Sequence, residues 1–303
     1  MYDLISIGNI SIDLFFQGES LTHTGNRFNL ALGGKYLVDH FYETLGGGGA
    51  NVAIGVTKHG LKTAIIGVIG NNQFKPIILK HLKDHDVSSE FCNYKDEYQK
   101  ISSILLSPSG ERTIINYETP HEHIFEKTED FLRIKDAKMI YMSNLPRVSL
   151  QERVHVLTYL HANGIPVILN LGIKDCRRPA HQILPLINKS GMLIVNAHEF
   201  SELIKHSYER IDFNRDVRKY IHSSYDSLLI VTDGEKGSYC YYKNQVYFMR
   251  AMLATKVLDT TGAGDAYTAG FIAGYFKHKG DVVGAMESGA RYAVKIIEKV
   301  GAN

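Results

Sequence analysis

The chain has 303 residues, of which 44% are apolar and 22% charged, a composition that can fill a sizeable core and excludes global disorder. Its 34 Lys and Arg against 32 Asp and Glu leave a formal charge of +2, too balanced for the basic field of a nucleic-acid or membrane-surface binder. No apolar run approaches the ~18 residues of a membrane span, and the opening MYDLISIGNISID carries no basic leader, so a cytoplasmic protein is expected.

From the N-terminus, Leu4 to Gly8 reads as a strand, Ala50 to His59 as a helix stopped at Gly60, and Thr63 to Val68 as a second strand, with a helix starting near Pro76. Met139 to Met142, Val167 to Leu169, Met192 to Val195 and Leu228 to Val231 are short apolar runs of the kind that fill a sheet covered on both faces. Helices separate them, one over Val148 to Ala162 and another including Ser201 to His206. This alternation predicts an α/β fold: a doubly wound, mostly parallel sheet flanked by helices. Arg27 to Leu45, and Ile101 to Tyr117 around a Pro108-Ser109-Gly110 turn, read as strands without helices between them. They predict a small β-stranded lid, formed by about 14–45 and 98–120, on a single domain spanning 1–303. Tyr239 to Tyr242 and Val246 to Met249 read as a hairpin around Lys243-Asn244-Gln245, and two helices from about Ala263 and Val282 close the sequence.

Chemistry concentrates where strands run into helices. In Val257-Leu258-Asp259-Thr260-Thr261-Gly262-Ala263-Gly264-Asp265, a turn of small residues exposes backbone N–H groups at a helix N-terminus, which favours a bound phosphate. The helix dipole is expected to keep Asp265 ionised near its ordinary pKa of about 3.9, able to accept a hydroxyl proton. The simpler reading is an N-terminal cap. Gly46-Gly47-Gly48-Gly49-Ala50-Asn51 opens another helix. Four successive glycines are costly in chain entropy unless the backbone needs unusual dihedrals or close ligand contact. Asn51 and Asp13 there suit a polyol, while a hinge beneath the lid is the plainer alternative.

Asn196-Ala197-His198-Glu199 follows a buried strand, where Asn196 and Glu199 either order a hydrated Mg²⁺ or form a capping box. Thr232-Asp233-Gly234-Glu235-Lys236-Gly237 is a nucleotide-touching turn or an ordinary β-turn. Neither G-x-x-x-x-G-K-[ST] nor G-x-G-x-x-G is present, which removes the main support for P-loop and dinucleotide readings. His81 and His85, and His121 and His123 around Glu122, lack a third metal ligand nearby. Arg177-Arg178 reads as a solvated pair. Cys92, Cys176 and Cys240, odd in number and scattered, read as buried thiols.

GGGGANVAIGVTKHGLKTAIIG, NAHE, VTDGEKG and DTTGAGDAYTAGFIAGY, in that order, make the chain resemble the ribokinase-like, or PfkB, carbohydrate kinases over nearly its whole length. The resemblance implies a doubly wound domain with a β-stranded lid, and transfer of the ATP γ-phosphate to a hydroxyl of a sugar-like substrate. It implies Asp265 as catalytic base, Gly262, Ala263 and Gly264 as anion hole, and Ser11, Asp13, Gly47, Gly48 and Asn51 facing the substrate. Asn196 and Glu199 would lie near Mg²⁺ and the phosphates, with Thr232, Gly234 and Gly237 along the nucleotide. Asp259 and Thr261 resemble a monovalent-cation loop for K⁺. Ribose-specific members carry Lys where this chain has Gly48, which points away from ribose. Family members often pair through the lid, so a homodimer is expected, and a nucleoside kinase of the same family is the alternative within enzymes. A nicotinamide oxidoreductase is disfavoured by the missing fingerprint, and a non-catalytic sugar binder by the intact Asp265 turn.

Overall fold

A computed structural model describes residues 1–25, 27–107, 112–121, 123–124, 132, 134–221 and 225–303. The expected turn at Pro108-Ser109-Gly110, and Glu122, lie outside them. A nine-stranded sheet forms the centre. From one edge it runs Gln245–Met249, Ser238–Tyr242, Leu228–Thr232, Met192–Asn196, Val167–Asn170, Ala137–Met142, Tyr2–Ile7, Thr63–Ile66 and Val87–Ser88. The first two are antiparallel to their neighbours and the remaining seven are parallel. Strand periodicity of two divides the core. Ile5, Ile7, Ile140, Met142, Leu193, Val195, Leu229 and Val231 meet one helix layer, including Leu157, Leu160 and Phe200. Leu4, Met139, Tyr141, Ile194, Leu228 and Ile230 meet the other, including Val52, Val56, Phe271 and Met286.

The layer over the second face contains helices Gly48–Thr57, Ala263–Lys277 and Val282–Ile297. The first two begin at the ends of the glycine run and of the DTTGAG turn, so their packing fixes where those segments meet. Helix Leu150–Ala162, capped by the Ser149 hydroxyl on the Glu152 N–H, belongs to the opposite layer. There its Arg153 makes a bidentate pair with Asp175 at 2.6 and 3.1 Å, both side chains fully buried. No helix among the described residues is long and apolar enough to cross a membrane. All three cysteines are free and buried, and burial pushes the Cys92 thiol up to about 12.

The second sheet has four strands, ordered Arg112–Glu118, Lys100–Leu106, Ser11–Gln17 and His40–Gly46. Its extent corrects the expected lid in two ways. Ser11–Gln17 opens the sheet three residues before the expected boundary. Of the stretch from Arg27 to Leu45, expected as strands without helices, only Arg27–Phe28 and His40–Gly46 are strand. Between them, Gly33 at φ 75° turns the chain away from extended geometry. Thr63 to Val68 also divides, into Thr63–Ile66 and a strand from Val68, at Gly67, whose backbone passes so close to Gly8 that a Cβ would lie 2.7 Å from the Gly8 carbonyl oxygen. Val68–Gly70 instead pairs with Asn93–Lys95.

Candidate active site

The glycine run is explained by what lies against it. A Cβ at Gly46 would fall 2.0 Å from Asp13 Oδ2, and one at Gly48 would fall 2.5 Å from Ser143 Oγ and 3.4 Å from Asp265 Oδ1. Gly47 has φ 91°, and a Cβ there would meet the Asn9 carbonyl oxygen at 2.4 Å. Two carboxylates from opposite ends of the sequence thus close on one bare backbone segment, which accounts for glycine at these positions and contradicts a hinge.

The DTTGAG turn enters its helix through Gly262, the N-cap residue, at φ 76°. Ala263 N–H reaches the Thr260 carbonyl and Ala266 N–H the Gly262 carbonyl. The N–H groups of Gly262, Gly264 and Asp265 make no such backbone bond among the described residues. A Cβ built at Gly264 meets nothing within 4 Å, so open space lies beside these donors. Uncommitted N–H groups, a positive helix end and room for a ligand are the features an anion site requires.

Asp265 stands in the first turn of that helix. It is densely surrounded by protein while part of its surface stays open. Burial raises its pKa above the ordinary carboxylate range, a hydrogen bond from Asn51 Nδ2 at 2.8 Å opposes the rise, and the Asp13 charge adds to it. Desolvation therefore outweighs the dipole expected to hold Asp265 at its ordinary value, and the group is a stronger base than the sequence suggested.

Asp13 is buried, with a pKa raised by burial and opposed by hydrogen bonds from Ser102 and Ser11 and by the Lys100 charge. Ser11 Oγ donates to Asp13 Oδ1 at 3.0 Å, so Ser11 supports Asp13. Asn51 is similarly engaged: its Nδ2 faces Asp265, and its Oδ1 accepts from Asn303 Nδ2 at 3.0 Å.

At the C-terminal edge of the sheet, Asn196 pairs with Thr232 on the adjacent strand. Asn196 and Glu199 form the capping box: Glu199 N–H donates to Asn196 Oδ1 at 2.8 Å, and Asn196 N–H to Glu199 Oε2 at 2.9 Å. Among the described residues no hydrogen bond engages Glu199 Oε1, so the box is compatible with holding a metal-bound water. Burial raises Glu199 to about 7, the Asn196 backbone bond opposes this, and the Asp265 charge contributes. Gly234 has φ 51° and Gly237 φ 120°. A Cβ at Gly237 would meet the Met249 carbonyl oxygen at 2.1 Å, so hairpin packing alone requires glycine there.

Asp259 is fully buried. Its Oδ1 accepts from Thr261 N–H at 2.8 Å and Thr261 Oγ1 at 2.6 Å, and its Oδ2 from Gly301 N–H at 3.1 Å. Three donors let this carboxylate brace the turn and leave an acceptor position on Oδ2, so a role as K⁺ ligand stays a proposal. No group of three or more His, Cys, Asp or Glu that could hold a metal occurs among the described residues. Arg177 is exposed and pairs with Glu202, as a solvated residue does, whereas Arg178 is partly enclosed and pairs with the buried Asp175.

Two contributors escaped the sequence reading. Arg112, from the small sheet, donates through Nη1 to Thr260 Oγ1 and ties that sheet to the anion turn; its position in an expected lid strand was the available signal. Asn303, which also donates to the Leu45 carbonyl at 2.6 Å, belongs to no motif and gave none.

The profile of the pfkB family carbohydrate kinases matches residues 1–303. The chain belongs to that family. It is thereby placed among the phosphotransferases. It is 30% identical over 246 residues to the probable fructokinase-6, chloroplastic, of Arabidopsis thaliana, covering 77% of this chain and 62% of that protein. It is 24% identical over 295 residues to a nucleoside kinase of Methanocaldococcus jannaschii, covering 91% and 84%. Among solved structures, Arabidopsis thaliana ribokinase complexed with ribose and ATP superposes with a TM-score of 0.81 at 20% identity, covering 99% of this chain and 94% of that one. This supports the ribokinase-like fold.

Proposed function

We propose that the protein transfers the γ-phosphoryl group of ATP to a hydroxyl group of a sugar or sugar derivative, with Asp265 as proton acceptor. The observation that carries this reading is the meeting of a carboxylate of raised pKa with uncommitted N–H groups at one helix start. The acceptor hydroxyl lies between Asp13 and Asp265 over the glycine run. Its oxygen forms the new P–O bond as the bond to the ADP oxygen breaks, and its proton passes to Asp265. The N–H groups of Gly262, Ala263 and Gly264 form the anion hole for charge on the transferring group, with Ala263 leaving its weak 3.3 Å bond to Thr260. Thr232, Gly234 and Gly237 line the nucleotide. Mg²⁺, when bound, neutralises β- and γ-phosphate charge, and Asn196 and Glu199 would hold it through water. ADP release across pentoses, hexoses, sugar phosphates, keto-acids and nucleosides tests this reading. Because a nucleoside kinase matches most of the chain, turnover of nucleosides alone would select that second reading.

Glu199→Gln retains a side chain able to cap the helix and removes the charge facing the metal. Turnover at limiting Mg²⁺ is expected to fall about tenfold, with partial recovery at high Mg²⁺. Wild-type kinetics across a Mg²⁺ titration would reduce Glu199 to its cap.

The lid is also proposed to join two copies of the chain. On one face of its sheet, Phe16 packs on Phe41 at 5.4 Å between ring centroids, and Phe41, Ile115 and Tyr117 are 55%, 61% and 58% exposed. A monomer leaves this apolar face in water. Sedimentation at micromolar concentration should give a dimer, and Phe41→Glu combined with Ile115→Glu a monomer. A wild-type monomer under those conditions contradicts the pairing.

A further inference from the structure

The last three described residues lie against the anion turn. Gly301 N–H bonds Asp259, and a Cβ at Gly262 would fall 2.3 Å from Ala302 Cβ. Asn303 continues inward, its Nδ2 reaching the Leu45 carbonyl oxygen at 2.6 Å and Asn51 Oδ1 at 3.0 Å, while Asn51 Nδ2 reaches Asp265 Oδ2 at 2.8 Å.

The sense of each amide follows from the groups at its ends. A peptide carbonyl only accepts, so the Asn303 atom facing Leu45 must be nitrogen. That same nitrogen faces Asn51, which must answer with oxygen. The nitrogen of Asn51 is then left for Asp265. Among the described residues no other side chain hydrogen-bonds Asp265. The other titratable groups acting on it or feeling its charge are Asp13 from the small sheet, Glu199 from the capping box and the Tyr141 phenol from the central sheet. None of them is a cation.

We infer that Asn303 is a positioning residue that locks the Asn51 amide with its N–H toward Asp265 and so holds Asp265 in its proton-accepting form. Without this lock Asn51 is free to turn and offer oxygen, which favours the protonated carboxyl. The catalytic consequence rests on the role proposed for Asp265, but the lock itself can be read without substrate or turnover.

The test is a ¹³Cγ-aspartate NMR titration of the ligand-free protein, with Asp265→Asn used to assign the resonance. Asn303→Leu keeps the bulk and removes the donor, and Asn303→Ala serves as a second variant should Leu disturb folding. Each should raise the Asp265 midpoint by about one unit. The acid limb of kcat/KM should move the same way on any substrate found. Asn51→Ala should also raise the midpoint, and adding Asn303→Leu to it should change nothing more. An unchanged midpoint in both Asn303 variants would overturn the lock, as would a full further shift in the Asn51→Ala background. A protein that phosphorylates no compound tested would sink the proposed function and leave the NMR answer standing.

Discussion

Asp265→Asn is expected to lower kcat by about 10²- to 10⁴-fold with little change in nucleotide affinity. Asparagine keeps the size of the side chain and an oxygen to accept from Asn51 Nδ2, now held at 2.8 Å, but it cannot take the substrate proton. In a loose phosphoryl-transfer transition state the hydroxyl becomes acidic late, so a carboxylate that is placed correctly suffices as base. The raised pKa of Asp265 fixes the sign of the pH dependence: activity is present above that value and lost as pH falls through it. Linkage fixes the sign for stability. The folded pKa is raised, so the unfolded chain loses this proton more readily and the buried charge costs stability at neutral pH. The variant should accordingly melt no lower than wild type, and about a few degrees higher. A folded variant turning over within a few-fold of wild type would remove Asp265 from the chemistry.

Gly262→Ala should be nearly as damaging for a different reason. The residue has φ 76°, and its new Cβ would lie 2.3 Å from Ala302 Cβ and 3.0 Å from Ala302 Cα. A left-handed non-glycine residue costs about 1–2 kcal/mol, and the overlap is relieved only if the turn or the tail moves. Either movement displaces the N–H groups proposed to meet the transferring phosphoryl group. Turnover should fall about 10²-fold, the scale of losing one oxyanion donor, together with a lower melting temperature. Wild-type kcat in this variant would show that the turn is not where charge develops.

The parallel sheet was legible because its strands are short apolar runs, and such runs need helices on both faces. The candidate site was legible where the sequence itself is unusual: four glycines in succession, or an acid after a turn of small residues. What escaped depends on distance in the sequence. Asn51 looks like a free polyol partner until Asn303, 252 residues on, takes its oxygen. That Ser11 also donates to Asp13 was not legible, because the backbone geometry that brings the two side chains together is not written in their spacing. The pKa of Asp265 could not be read from its helical turn, because the burial that raises it comes from packing in three dimensions. The bracing of the turn by Asp259 was not legible either, because Gly301, which donates to its second oxygen, lies 42 residues further on.

The most direct measurement is ³¹P NMR of a reaction containing ATP, Mg²⁺, the protein and each member of the sugar and nucleoside panel in turn. The expected result is a phosphomonoester resonance growing in step with ADP for at least one hydroxyl-bearing compound, and greatly slowed with Asp265→Asn. Release of inorganic phosphate alone, or ADP formation unaffected by that substitution, would contradict phosphoryl transfer to a hydroxyl at this site.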